Sequence, residues 1–180
     1  MTTYFGSDIH LGHKNVIEFC NRPFKDLDEM RSSFIGECYS TLTSDDEVYL
    51  LGDICFNRVG TTLDLLLDCP AAFHLIRGNH DRNSVANHKL WKSVSLLKEI
   101  KIPGIDLPII LCHYPIEVWN KKSYGSIHLH GHTHNNASHN VSNIDNRYDA
   151  GYDAQGRWLS TIEQIVLDYK QKAFNYIYEY

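Results

Sequence analysis

The stretch Ala72-Phe73-His74-Leu75-Ile76-Arg77-Gly78-Asn79-His80-Asp81 is a mostly apolar run that stops at a glycine and then turns polar. A run of that length bounded by turn residues reads as a strand, here Ala72 to Arg77. The residues after the glycine are metal-ligand and acid-base types, placed where the strand stops. The same form recurs on both sides of it. Glu47 to Leu51 ends at Gly52-Asp53, and Thr3 to Ser7 ends at Asp8-Ile9-His10. Leu107 to Cys112 ends at His113, and Ile127 to His130 ends at Gly131-His132-Thr133-His134.

Helical signals lie between these strands. Asn15 to Cys20 is helix-like, and Asp26 with Glu29 forms a capping-box pair. Met30, Phe34, Cys38 and Leu42, with Ile35 and Tyr39 alongside, then mark one buried helix face. A helix is expected over Thr61 to Leu67. Another should begin at a capping box of Ser160 and Glu163, with Ile162, Ile165, Val166 and Tyr169 on one face. Val94 to Ile102 and Leu107 to Cys112 flank a Pro/Gly turn and read as a hairpin, and Val141 to Ile144 as a further strand. Phe174, Tyr176, Tyr178 and Tyr180 alternate as a final strand would, in the core or at a sheet edge. Helices between strands imply one α/β domain over residues 1–180 with partly parallel pairing. In such folds ligands gather at the carboxyl ends of strands, where the polar motifs sit.

Composition sets the outer bounds. A hydrophobic fraction of 43% and a charged fraction of 22% are those of a globular chain with a real core, not a disordered one. The net charge of -5 argues against a surface built throughout for nucleic acid. The five cysteines, Cys20, Cys38, Cys55, Cys69 and Cys112, are odd in number and lack a CxxC pair, so neither a disulfide framework nor a zinc-thiolate site is expected. Neither a signal peptide nor a membrane-length apolar run is visible, which makes a cytoplasmic location the expectation.

Each polar motif is a weak signal alone, since Gly-Asp is commonly a turn and a lone His is often structural. Asp8 and His10 are two apart, so an extended chain would send both side chains to one side, and the same holds for His132 and His134. The glycines before Asp53, Asn79 and His132 allow close backbone approach. Five such motifs, each at a strand end, together indicate a metal site.

In this order the motifs DxH, GD, GNHD, a lone His and GHTH resemble the calcineurin-like metallophosphoesterase family, over about Thr3 to Asp145. The resemblance implies a two-sheet β-sandwich flanked by helices, a four-layer αββα arrangement. It implies that Asp8, His10, Asp53 and His134 hold one metal, with Asp53 bridging to a second held by Asn79, His113 and His132. His80 would be the active-site acid or phosphate contact, oriented by Asp81.

That ligand set makes physical sense in itself. Two divalent ions outweigh the two carboxylates of Asp8 and Asp53, leaving positive charge to receive a phosphoryl group and to activate water. Oxygen and nitrogen ligands without thiolate suit manganese first, then iron, cobalt, nickel or zinc. The expected activity is hydrolysis of a small, nucleotide-like phosphoester by a phosphodiesterase or phosphatase. The alternatives are a nuclease, disfavoured by the acidic balance and short chain, and a catalytically silent interaction scaffold.

Arg22 and Arg82 are candidates for bidentate contact with substrate phosphate. His128 and His130 read as packing or supporting residues. Lys121 and Lys122, near Trp119 and Tyr124, read as a solvated loop or a nucleotide-binding edge. With no visible insertion to cap it, the site is expected to be open.

Overall fold

The computed structural model describes residues 1–56, 62–136 and 146–178, with side chains as far as Gln171. Strands β1 (Thr3–Gly6), β2 (Glu47–Leu50), β3 (Ala72–Ile76) and β4 (Trp91–Ser95) form one sheet in that order, all parallel. A second sheet has the order β5 (Leu97–Ile100), β6 (Ile109–Cys112), β7 (Ile127–His130), β8 (Arg147–Asp149). Its β5–β6 pair is antiparallel and its other pairs are parallel. The helices are α1 (Asn15–Phe19), α2 (Leu27–Thr41), α3 (Asn83–Ala86), α4 (Tyr152–Gln155) and α5 (Ile162–Tyr178), with 3-10 turns at Asp64–Leu66 and Lys122–Tyr124. The chain is α/β, with two four-stranded sheets flanked by helices.

Strand alternation sorts the apolar residues into two cores. In and after β2, Val48 and Leu50 join a core with Met30, Phe34 and Cys38 of α2, while Tyr49 and Leu51 face the other way. There they meet Ile109 and Leu111 of β6, Leu129 of β7 and Ile162, Ile165 and Tyr169 of α5. The first sheet therefore lies between α2 and the second sheet. Each such Leu or Phe, fully buried, contributes about 1.5–3 kcal/mol.

The α2 start follows its sequence signal. Asp26 accepts the Glu29 N–H at 2.9 Å, and Glu29 accepts the Lys25 N–H at 2.7 Å, so the box closes one residue earlier than its usual form. Met30, Phe34 and Cys38 are fully buried, whereas Tyr39 leans outward and donates to the Leu65 carbonyl at 2.9 Å.

Four expectations change. The tail is not a strand as far as Tyr178: α5 runs through it, because no Pro or Gly interrupts the chain after Ile162 and propagation outweighs local alternation. The helix starts at a capping box of Thr161 and Gln164 rather than Ser160 and Glu163. Ser160 is instead extended against Phe5, exchanging backbone bonds of 2.8 and 2.9 Å. The run from Val94 is divided between sheets, with Val94 in β4 and Leu97 in β5, so only the latter part forms the hairpin with β6. The segment expected as a helix from Thr61 to Leu67 is helical at Thr62 and Leu63 and then tightens into the 3-10 turn Asp64–Leu66, with Thr61 outside the described residues, as are Val141 to Ile144 and Tyr180.

All five cysteines are free. No helix among the described residues is long and apolar enough to cross a membrane. Parallel pairing gathers the carboxyl ends of β1, β2 and β3, and the ends of β6 and β7 meet them. His113, just past β6, is tied across to the Leu51 carbonyl at 2.7 Å.

Candidate metal centre

Asp8, His10, Asp53, Asn79, His113, His132 and His134 come together at these strand ends. The backbone turns sharply to bring them there. Asp8, His10, Asp53, His132 and His134 have φ of 55°, 54°, 57°, 69° and 48°, a left-handed conformation that costs a non-glycine residue roughly 1–2 kcal/mol. The ligand pairs therefore do not share a side by strand alternation, as an extended chain would require. Their convergence is a turn geometry that the surrounding bonds must hold, and such strain clusters at functional sites.

Several bonds do that holding. Asp81 accepts the N–H groups of Asp53, Ile54 and Gly78, each at 2.9 Å. Its two carboxylate oxygens thus pin the Gly52-Asp53 turn to the Gly78-Asn79 turn. Burial pushes this carboxyl up, although its bonds to Gly78 and Ile54 oppose the shift. Through these bonds Asp81 fixes the two turns and the backbone next to His80. Asp149 accepts from Thr133 Oγ1 at 2.6 Å and from the Asn135 N–H at 3.3 Å, fixing the His132–His134 turn. Proximity requires glycine at several of these positions; a Cβ on Gly78 would strike the Asp53 carboxylate, and one on Gly131 would strike Ser7 Oγ and Asp8 Oδ2.

The donors fall into three overlapping groups: Cys20, His134 and Asp153 form one, and the other two have Asp8 in common. Asp8, His10 and His134 offer ligand atoms within 4.8 Å of one another, and so do Asp8, Asp53 and His113. Asp53 Oδ2 lies 3.8 Å from His10 Nε2 and 3.6 Å from His113 Nε2, between the two groups. Asp8 Oδ1 lies 3.7 Å from His10 Nε2 and 3.8 Å from His134 Nε2. His113 Nδ1–H donates to the Leu51 carbonyl at 2.7 Å, which leaves Nε2 an acceptor 3.0 Å from Asn79 Oδ1, and two acceptors so close suit a shared cation and not a bond to each other. His132 stands beside them, its ring edge-on to His113 at 5.1 Å and its N–H on Asp8 Oδ2 at 2.9 Å.

These residues fit a divalent cation. Asp8 Oδ1 and both ring nitrogens of His10 are buried and have no hydrogen-bond partner. Leaving such groups bare costs about 1–3 kcal/mol each, and a bound cation would satisfy the carboxylate oxygen and one nitrogen together. Burial would raise the Asp8 carboxyl, but the imidazoles of His10, His134 and His113 outweigh it and hold the group well below the usual carboxylate range. Burial would pull His134 down, but its bonds to Asp153 and Cys20 outweigh it and push it up.

The remaining predicted residues take other positions. His80 is half exposed at the rim, with its N–H on Asp53 Oδ1 at 2.9 Å and its ring against Phe56 at 4.7 Å. The bidentate contact expected of Arg22 with phosphate is made instead with Asp153, at 2.8 and 2.7 Å, and the guanidinium is fully buried. Arg82 is exposed at the start of α3. His128 and His130 are buried side chains of β7, bonded to the Ile110 and Gly131 carbonyls, and Lys122 lies over the Trp119 ring at 4.9 Å. His132 and His80 are both exposed, which leaves that side of the centre open.

Sequence reasoning passed over Phe56, Tyr114 and Asp153. Phe56 stacks on His10 and His13 at 5.1 and 4.6 Å, and Tyr114 lies edge-on to His132 at 4.9 Å. Asp153 carried a signal of the kind used elsewhere, because it closely follows a strand end and a glycine, Asp149-Ala150-Gly151.

No family model matches the chain. A solved structure of a protein of unknown function from Aquifex aeolicus shares the fold, with a TM-score of 0.72 at 22% identity over 91% of this chain and 96% of that one. An uncharacterized protein of Methanocaldococcus jannaschii is 32% identical over 74% of this chain and 69% of its own length. The Gene 66 protein of Mycobacterium phage L5 is 30% identical over 89% of this chain and 91% of its own length, and that of phage D29 is 28% identical. At this identity and coverage, the chain belongs to the family of the phage L5 Gene 66 protein and its archaeal relative.

Proposed function

We propose that the chain is a metal-dependent phosphoester hydrolase of the calcineurin-like type, with the four-layer αββα arrangement, acting on a small phosphoester. The observation that carries this reading is the position of Asp53. Its Oδ2 stands between His10 Nε2 at 3.8 Å and His113 Nε2 at 3.6 Å, as a carboxylate shared by two ions must.

Asp8, His10 and His134 would hold one ion, Asn79, His113 and His132 the other, and Asp53 both. Divalent ions held there, manganese in vitro, would lower the pKa of a bound water and would neutralise charge on the phosphoryl group. His80, exposed beside Asp53 and backed by Phe56, supports the leaving oxygen through its ring N–H. The net charge of -5 supports a small substrate over a polyanion.

Hydrolysis of bis-p-nitrophenyl phosphate and p-nitrophenyl phosphate, after metal stripping and manganese readdition, tests the reading. Manganese-dependent turnover that disappears in Asp53→Asn is expected, and the ratio of the two rates separates diesterase from monoesterase. Turnover that persists in Asp53→Asn, or that ignores manganese, would overturn it.

A further inference from the structure

Asp153 is a side chain with three hydrogen bonds at the site that the proposed chemistry leaves without a task. It stands in α4, just after Gly151, whose N–H is held by Asp149 Oδ1 at 2.7 Å. Its Oδ1 accepts from Arg22 Nε at 2.8 Å, and its Oδ2 from Arg22 Nη2 at 2.7 Å and from His134 Nδ1 at 2.6 Å. Arg22 is fully buried and also donates to the Asp8 carbonyl at 2.7 Å and the Ile9 carbonyl at 3.2 Å.

We infer that Asp153 is a positioning residue, which fixes the His134 ring and locks it to the Asp8–His10 turn through Arg22. This rests on the reading of His134 as a metal ligand. A neutral imidazole has one N–H and one lone pair. With the N–H held at Nδ1 by a carboxylate, the lone pair is left on Nε2, which faces Asp8 Oδ1 at 3.8 Å. A carboxylate behind a ligating histidine fixes its tautomer and raises its basicity, and losing such a partner weakens metal binding by about 10–100-fold. Cys20 Sγ, the other group at Nδ1, is 3.4 Å away and makes the longer contact.

The geometry also explains why Arg22 is buried where no substrate can reach it. Its guanidinium joins two segments, the Asp8-Ile9 backbone and Asp153, that carry or support ligands of the same ion. Geometry set on one side is thereby passed to the other.

Manganese titration of the metal-stripped chain by calorimetry tests the inference, with thermal unfolding measured in parallel on the wild type, Asp153→Asn and the double variant Asp153→Asn/Arg22→Met. Asn places either an uncharged oxygen or an amide N–H at His134 Nδ1, and the second arrangement drives the ring proton to Nε2. The expected result is two ions per wild-type chain, with Asp153→Asn weakening one of them by about 10–100-fold and leaving the other. The double variant removes the uncompensated arginine charge, so it should recover thermal stability without recovering that affinity. Recovery of both would make Asp153 merely the counter-ion of Arg22 and would overturn the inference. So would Asp153→Asn binding both ions like the wild type, a result that leaves the proposed function standing. A wild-type chain that takes up no manganese would overturn both.

Discussion

The Asp81 carboxylate accepts the backbone N–H of Asp53 at 2.9 Å, joining residues 28 apart in the chain. With Ile54 and Gly78 bonded to the same side chain, one buried group sets the spacing of two turns that carry Asp53 and Asn79. The left-handed conformation of Asp53 is tolerable because these bonds over-determine it.

Replacing Asp81 with alanine strands three buried N–H groups at once. At about 1–3 kcal/mol for each bare group, a loss of roughly 3 kcal/mol or more is expected from urea unfolding. A loss below about 1 kcal/mol would mean that the turns hold their own shape.

His80 should behave in the opposite way. Its ring is half exposed, and its bond to Asp53 is through the backbone, which alanine keeps. His80→Ala should cut turnover by about 10²–10⁴-fold while metal content stays at the wild-type level. Metal lost along with activity would make His80 a ligand or a structural prop.

Two glycines give a matched pair. Gly131→Ala drives a methyl into Ser7 and Asp8, so it should displace the His132–His134 turn, destabilise the fold and reduce metal uptake. Gly36→Ala, on the exposed side of α2 with nothing near its Cβ position, should stabilise by about 0.5–1 kcal/mol. Equal effects at the two sites in thermal unfolding would contradict this reading of the Gly131 contact.

The candidate donors are legible because each motif is local: an apolar run, a turn, then a polar side chain. What holds them is not. Left-handed backbone at Asp8, His10, Asp53, His132 and His134 is uncommon, and although Asp and His adopt it more readily than most residues, their identity alone does not announce it. The Arg22–Asp153 pair spans 131 residues, and a buried arginine reads in sequence like any polar residue. Alternating aromatics suggested a strand in the tail because helix propagation from Ile162 depends on the whole segment. The switch of sheets between Ser95 and Leu97 left no glycine or proline to mark it.

His128 predicts acid sensitivity of the fold. Burial pulls it down from 6.5 to about 4, although its bonds to the Ile110 and Tyr114 carbonyls oppose the shift. The unfolded chain then binds a proton between those values that the folded chain refuses. His128 therefore has no effect on stability above pH 6.5, and destabilises the fold increasingly as pH falls towards 4, by roughly 3 kcal/mol at the end. Thermal unfolding from pH 7.5 to 4 should follow that course and be shallower in His128→Gln. An unchanged slope in the variant would assign the effect to other groups.

The proposed hydrolase depends on Asp53 being shared by two ions. Anomalous scattering from crystals grown with manganese tests it most directly. Two peaks about 3.5–4 Å apart are predicted, with the Asp53 carboxylate touching both, Asp8, His10 and His134 around one, and Asn79, His113 and His132 around the other. A single peak, or two peaks of which only one touches Asp53, would contradict the account.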